Sequence, residues 1–169
     1  MKKSFLSVLF FLITAASCME AKMEAPAKTK PFPAPEFSVS DLEGKKASIA
    51  EYKGKPLIIN FWATWCVPCI QEMPELEKLY KERKKDGLEL LMINAKESKE
   101  VVSKYIKEKG YTFRVLIDEE GKVLRQYQVF GLPSTFFIDD KGVVQYFYMG
   151  QLTWGITKMG LKSISVIKP

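Results

Sequence analysis

The chain alternates short, strongly apolar runs with longer segments whose apolar residues recur every three or four positions. Residues 57–62 (Leu-Ile-Ile-Asn-Phe-Trp) are almost wholly apolar, which predicts a strand buried on both faces. From 66 to about 85, Ile70, Met73, Leu76, Leu79 and Tyr80 fall at helical spacing, and Pro74 inside that run predicts a kink. Gly87 stops the helix, and 88–94 reads as a second apolar strand. A charged amphipathic helix over 98–109 closes at Gly110, a third strand covers 113–117, and a short helical piece follows at 122–128. Residues 134–138 and 143–148 flank Asp139-Asp140-Lys141-Gly142 as a hairpin, and 153–164 reads as a last helix. Upstream, 36–39 and 47–49 flank Asp41-Leu42-Glu43-Gly44, an opening hairpin. Strands separated by helices and ending in an antiparallel hairpin predict an open α/β sheet covered on both faces.

The N-terminal stretch breaks this pattern. Lys2 and Lys3, the apolar residues 5–13 and the small residues Thr14-Ala15-Ala16-Ser17 have the layout of an export signal. The apolar part is shorter than the roughly 20 residues a membrane span needs. Ala15-Ala16-Ser17-Cys18 resembles the lipobox at which bacterial lipoproteins are cut and acylated on the cysteine, although Ala15 stands where leucine is commonest. Cys18 therefore has two fates open to it, a lipid anchor or removal with the signal. Residues 19–36 shift to Ala, Lys, Glu and Pro, the composition of an extended spacer. The expected organisation is a signal over 1–17, a tether over 18–34 and one folded domain over 35–169.

Charge and composition narrow the chemistry. The net charge is +6, and setting aside Lys2 and Lys3 leaves +4. The remaining basic residues are mixed with acids, as in Lys81-Glu82-Arg83-Lys84-Lys85-Asp86, which reads as a solvated helix face and not a nucleic-acid surface. The chain has no histidine, which removes imidazole bases and metal sites built on them. No cofactor and no resident metal are expected.

Three cysteines remain to be explained, and two of them, Cys66 and Cys69, sit two residues apart where the first strand gives way to the first long helix. Thiols at that spacing can close into a small disulfide and reopen, carrying two electrons. A purely stabilising role is poorly served, because closing so short a loop constrains the unfolded chain little. Half of a four-cysteine metal site would need a second pair that the domain lacks. The helix start favours negative charge, so Cys66 is the expected nucleophile and Cys69, a turn later, the resolving thiol.

The motif Asn60-Phe-Trp-Ala-Thr-Trp-Cys66-Val-Pro68-Cys69 resembles the thioredoxin fold, and within it the exported TlpA, ResA and CcmG type of thiol–disulfide oxidoreductase. The resemblance covers most of residues 35–165. It implies a central mixed sheet with helices on both faces and an N-terminal β-hairpin extension. It implies that Glu72 matches the acidic residue this type carries after its second cysteine, lying near the thiols and tuning their protonation. A surface carboxylate in the first helical turns is the alternative for Glu72. Asn60 stands where cytoplasmic thioredoxin has a buried aspartate used in proton transfer, so that role does not carry over.

Phe130-Gly131-Leu132-Pro133-Ser134-Thr135 matches the cis-proline loop that faces the cysteine pair in this fold. By that resemblance the backbone at Leu132 and Pro133 pairs with a bound substrate chain like an added strand. An ordinary trans proline opening a strand is the alternative. Trp65 and Pro68, beside the cysteines, complete the expected substrate-binding set; Trp62 fits a thiol shield or plain core equally well.

The function the resemblance implies is an envelope or periplasmic thiol–disulfide oxidoreductase, anchored to the membrane through Cys18. It implies a reductant of protein disulfides, apocytochrome c for example, resupplied by a membrane thiol-transfer protein. Two other readings compete. A peroxiredoxin-type peroxidase would carry threonine three residues before its cysteine, where this chain has Ala63. A Cu(I) chaperone of the related exported kind would add a histidine, which this chain lacks.

Overall fold

A computed structural model describes residues 30–166. The expected signal, Cys18 and most of the expected tether lie outside the described residues. A short strand β1 (Phe32–Pro33) precedes the hairpin β2 (Ser38–Ser40) and β3 (Lys46–Ser48). The body then runs β4 (Leu57–Trp62), α1 (Val67–Arg83), β5 (Glu89–Ala95), α2 (Lys99–Lys109), β6 (Arg114–Asp118), α3 (Lys122–Gln126), β7 (Ser134–Ile138), β8 (Val143–Met149) and α4 (Trp154–Ser163). Six strands form one sheet in the order β1-β8-β7-β4-β5-β6. β4 pairs parallel with β5 and antiparallel with β7, so the sheet is mixed and β4 lies inside it.

Every residue of β4 is buried, as its apolar run predicts. Side chains alternate across the sheet. Ile58, Trp62 and Met92 join one core with Met73 and Leu76 of α1, Val102 and Ile106 of α2, and Leu161 of α4. Leu57, Ile59, Phe61 and Ile93 join a second core with the hairpin's Phe37 and Ala47, and with Val123 and Tyr127 around α3. Helices thus cover both faces, but unevenly. α1 and α2 cover the same side, both contributing to the first core, as two consecutive parallel crossovers of one hand require. α4 joins them by close approach: a Cβ on Gly160 would run into the ring of buried Phe137.

The hairpin covers the outer edge of β6 through a bridge between Asp41 and Leu116. Arg114 fastens it, donating to Asp41 Oδ2 from Nε at 3.1 Å and Nη2 at 2.9 Å, and from Nη1 to Glu51 at 3.0 Å and the Tyr52 hydroxyl at 2.9 Å. At the opposite edge Phe32 and Pro33 pair with β8. Two residues assigned to the tether therefore belong to the sheet.

Candidate active site

The site forms where β4 hands over to α1. Cys66 caps the N-terminus of α1, and Pro68 occupies the first turn, where a missing N–H costs nothing. Cys66 and Cys69 form a disulfide with their Cα atoms 5.3 Å apart. The Cys69 N–H donates to Cys66 Sγ at 3.4 Å, so a backbone amide already points at the sulfur that would carry negative charge. Both sulfur-bearing residues are buried, Cys69 more deeply at 1% exposure against 5% for Cys66.

Glu72 lies one helical turn beyond Cys69 on the inward face of α1, at 3% exposure. It is no surface carboxylate. Its Oε1 accepts from Asn60 Nδ2 at 2.7 Å, and its Oε2 from the Leu152 N–H at 2.7 Å. Burial pushes its carboxyl up from 4.5 to about 7, while the Leu152 and Asn60 bonds pull the other way without overcoming it. Asn60 also donates to Thr135 Oγ1 at 2.9 Å, its register partner across β4 and β7. An Asn-Glu pair thus occupies the interior beside the cysteines, and near neutral pH its carboxyl can both accept and return a proton.

The bond between Leu132 and Pro133 is cis. Leu132 packs against the core cluster that contains Cys66 and Cys69. The loop is held from behind: Pro133 O accepts from Gly150 N at 2.8 Å, and Gly131 O from the Ser134 hydroxyl at 2.8 Å. The two tryptophans part company. Trp62 is fully buried with its ring 5.7 Å from that of Tyr105, so it is core and offers no docking surface. Trp65 is 68% exposed, as are Val67 at 62% and Phe130 at 86%. These apolar side chains flank the cysteines and the cis-proline loop.

Three contributors escaped the sequence reading: Thr135, the Leu152 N–H and Glu97. Glu97, just past β5, accepts from the backbone and hydroxyl of Thr64 in the loop leading to Cys66. A polar residue directly after a buried strand, at the carboxyl end of the sheet, is the signal that could have flagged it. Among the described residues there is no cluster of three or more His, Cys, Asp or Glu able to hold a metal ion. No helix among them is long and apolar enough to cross a membrane.

Comparison with known proteins gives this geometry a lineage. A model described as the AhpC/TSA family matches residues 32–147. The thiol-disulfide oxidoreductase ResA of Geobacillus thermodenitrificans is 43% identical over 131 residues, 78% of this chain and 75% of that protein. Among solved structures, a Chlorobium tepidum protein described as thiol:disulfide interchange protein DsbE shares the fold with a TM-score of 0.74. That match has 24% identity and covers 83% of this chain and 99% of its own. The exposed lipoprotein thioredoxin of Streptococcus pneumoniae matches at TM-score 0.67 and 28% identity, over 75% of this chain and 98% of that one. The chain belongs to the AhpC/TSA family, as a thiol–disulfide oxidoreductase of the ResA type with a Cys-x-x-Cys pair on a thioredoxin-like fold.

Proposed function

We propose that this protein is exported, tethered to the membrane through Cys18, and works as a reductant of protein disulfides. The observation that carries the exchange chemistry is the Cys66–Cys69 pair at the head of α1, with the buried Glu72 carboxyl, raised to about 7, a single turn beyond it. In the reducing direction the Cys66 thiolate attacks one sulfur of a client disulfide. A mixed disulfide forms, and the client's other sulfur leaves as a thiolate that takes up a proton. Glu72 then accepts the Cys69 proton, and Cys69 attacks Cys66 Sγ. The Cys66–Cys69 disulfide forms, and the client's second sulfur leaves as a thiolate that takes the proton back from Glu72. Two electrons and two protons pass to the client, and a membrane thiol-transfer protein returns the pair to the dithiol.

Trp65, Pro68 and the Leu132-Pro133 backbone supply the docking face, with an extended client strand pairing at the loop. Apocytochrome c, whose haem-attachment thiols must be reduced, is the client the family resemblance favours. The ResA relatives and the pneumococcal exposed lipoprotein thioredoxin support the ResA-type role and the anchor respectively. A folded domain of residues 35–169 behind a signal (1–17) and tether (18–34) completes the reading, with β1 extending the domain to Phe32.

Reduction potential measured against glutathione tests the direction. A reductant is expected near or below thioredoxin's value of about −270 mV, and a value near the roughly −120 mV of a strong oxidant overturns the assignment. Rapid consumption of hydrogen peroxide by the dithiol form would favour a peroxidase instead. Replacing Cys18 with alanine should release the protein from the membrane fraction; full retention sinks the lipid anchor.

A further inference from the structure

We propose that Glu97 is a positioning residue for the Cys66 nucleophile, locking the turn of residues 63–66 that presents Cys66 at the head of α1. The inference rests on the reading of Cys66 as nucleophile. Its starting point is a backbone irregularity. β5 ends at Ala95, and Lys96 then adopts φ 60, a left-handed conformation that a long side chain rarely takes. Two features hold it there: the Lys96 N–H donates to Asp118 O at 3.1 Å, and its aliphatic chain lies where a Cβ on Gly121 would be 2.7 Å from Lys96 Cε. Such strain persists where surrounding structure determines it, often at functional sites.

The consequence of that turn is the placement of Glu97. Its Oε2 accepts from the Thr64 N–H at 2.7 Å and from Asn94 Nδ2 at 2.8 Å, and its Oε1 accepts from the Thr64 hydroxyl. Asn94 is itself fully buried beside Trp62 in the strand register. The Cys66 N–H closes the turn on Ala63 O at 3.2 Å. Among the described residues, every side-chain hydrogen bond made by residues 63–65 ends on Glu97. The loop before the nucleophile is therefore fixed to β5 by one carboxylate, supplied 33 residues along the chain.

Two carboxylates belong to this region, Glu72 on α1 and Glu97 on the loop after β5 that holds Thr64. Neither has a salt-bridge partner among the described residues. A carboxylate near a thiol could also act through space, by repelling the thiolate, and the two roles predict opposite signs. Loss of positioning removes Cys66 from its amide and lowers reactivity. Loss of charge alone raises it.

The test is the pH profile of alkylation of the reduced protein, with the modified cysteine identified by mass spectrometry, in Glu97→Ala and Glu97→Gln. Glutamine keeps an acceptor for Thr64, and its amide can donate to Asn94 Oδ1, which has no partner. Glu97→Ala is expected to slow Cys66 alkylation at pH 7 by about tenfold, its profile moving up by about one pH unit. Glu97→Gln should stay within about twofold of wild type. A Glu97→Ala profile that superimposes on wild type, or equal acceleration in both variants, overturns the proposal. If Glu97→Ala does not fold, Thr64→Val deletes only the hydroxyl contact and should slow the reaction by about two- to threefold; an unchanged rate there is equally fatal. Alkylation of Cys69 ahead of Cys66 in the wild type would instead refute the nucleophile assignment itself.

Discussion

Asp41 and Glu72 are buried to almost the same degree, at 5% and 3% exposure, yet the fold treats them in opposite ways. Burial disfavours charge on both. Beside Asp41 stands the Arg114 guanidinium, and the Lys45 and Glu43 amides donate to it as well. Together they outweigh burial and hold its carboxyl below the usual range. Glu72 has two neutral donors and no cation, so burial prevails and its carboxyl rises to about 7. Glu72 also lies deeper beneath the surface than Asp41, so depth and the missing cation act in the same direction. On the hairpin side the sequence completes the pair, and the result is a clasp. On the α1 side it leaves the pair incomplete, and the result is a group able to exchange a proton at neutral pH.

Removing the cation should therefore give the largest effect. Arg114→Ala leaves Asp41 buried without its counter-charge, and such losses run to about 3–5 kcal/mol. Denaturant unfolding is expected to show it, with thiol exchange per folded molecule unchanged. A fall in exchange activity of the folded fraction would mean that the clasp and the site are coupled.

Glu72→Gln comes next, and its signature is a pH window. An acid with an unfolded value of 4.5 and a folded value of about 7 binds more protons when folded across that interval. Wild-type stability should thus be fully present below 4.5, fall as pH rises, and level off above 7, by on the order of 3 kcal/mol in all. Asp41 works in the reverse sense. Its depressed value contributes stability above the ordinary carboxylate range that is lost in acid, so the two windows do not overlap. In Glu72→Gln the decline between 4.5 and 7 should vanish, while the acid limb remains. Persistence of the neutral decline would show that another group produces it.

The main elements were legible because each carries a pattern: β4 as an almost wholly apolar run, α1 and α2 as helical repeats, β7 and β8 as a hairpin around a Gly-containing turn. β1 was not, since two residues carry no period, and Pro33 suggests a linker although an edge strand tolerates it. Cys66 and Cys69 were legible from their spacing at the junction of strand and helix, whereas Glu72 was reached only through the family resemblance. Its supports come from the register of distant strands. Thr135 meets Asn60 across 75 residues and Leu152 meets Glu72 across 80, distances that local spacing cannot encode. Trp62 was ambiguous because it shares its sheet face with Ile58 and Asn60, and on that face the core and the cysteine pair form one cluster.

The smallest effect separates the carboxyl from the residue that holds it. Thr135→Val keeps shape in a fully buried position and removes the hydroxyl that accepts from Asn60 Nδ2 at 2.9 Å. One Asn60 N–H is left without a partner, at a cost of about 1–2 kcal/mol. That cost should be the same at pH 5 and pH 8, because the other Asn60 N–H still reaches Glu72 at 2.7 Å. A loss that grows with pH would mean that Asn60 turns its oxygen toward Glu72 once Thr135 is gone. The carbonyl would then face the carboxylate and raise its affinity for a proton further. In that case the Glu72 value is set across the sheet by β7, and the contrast with Asp41 lies in how far each network extends as well as in the missing cation.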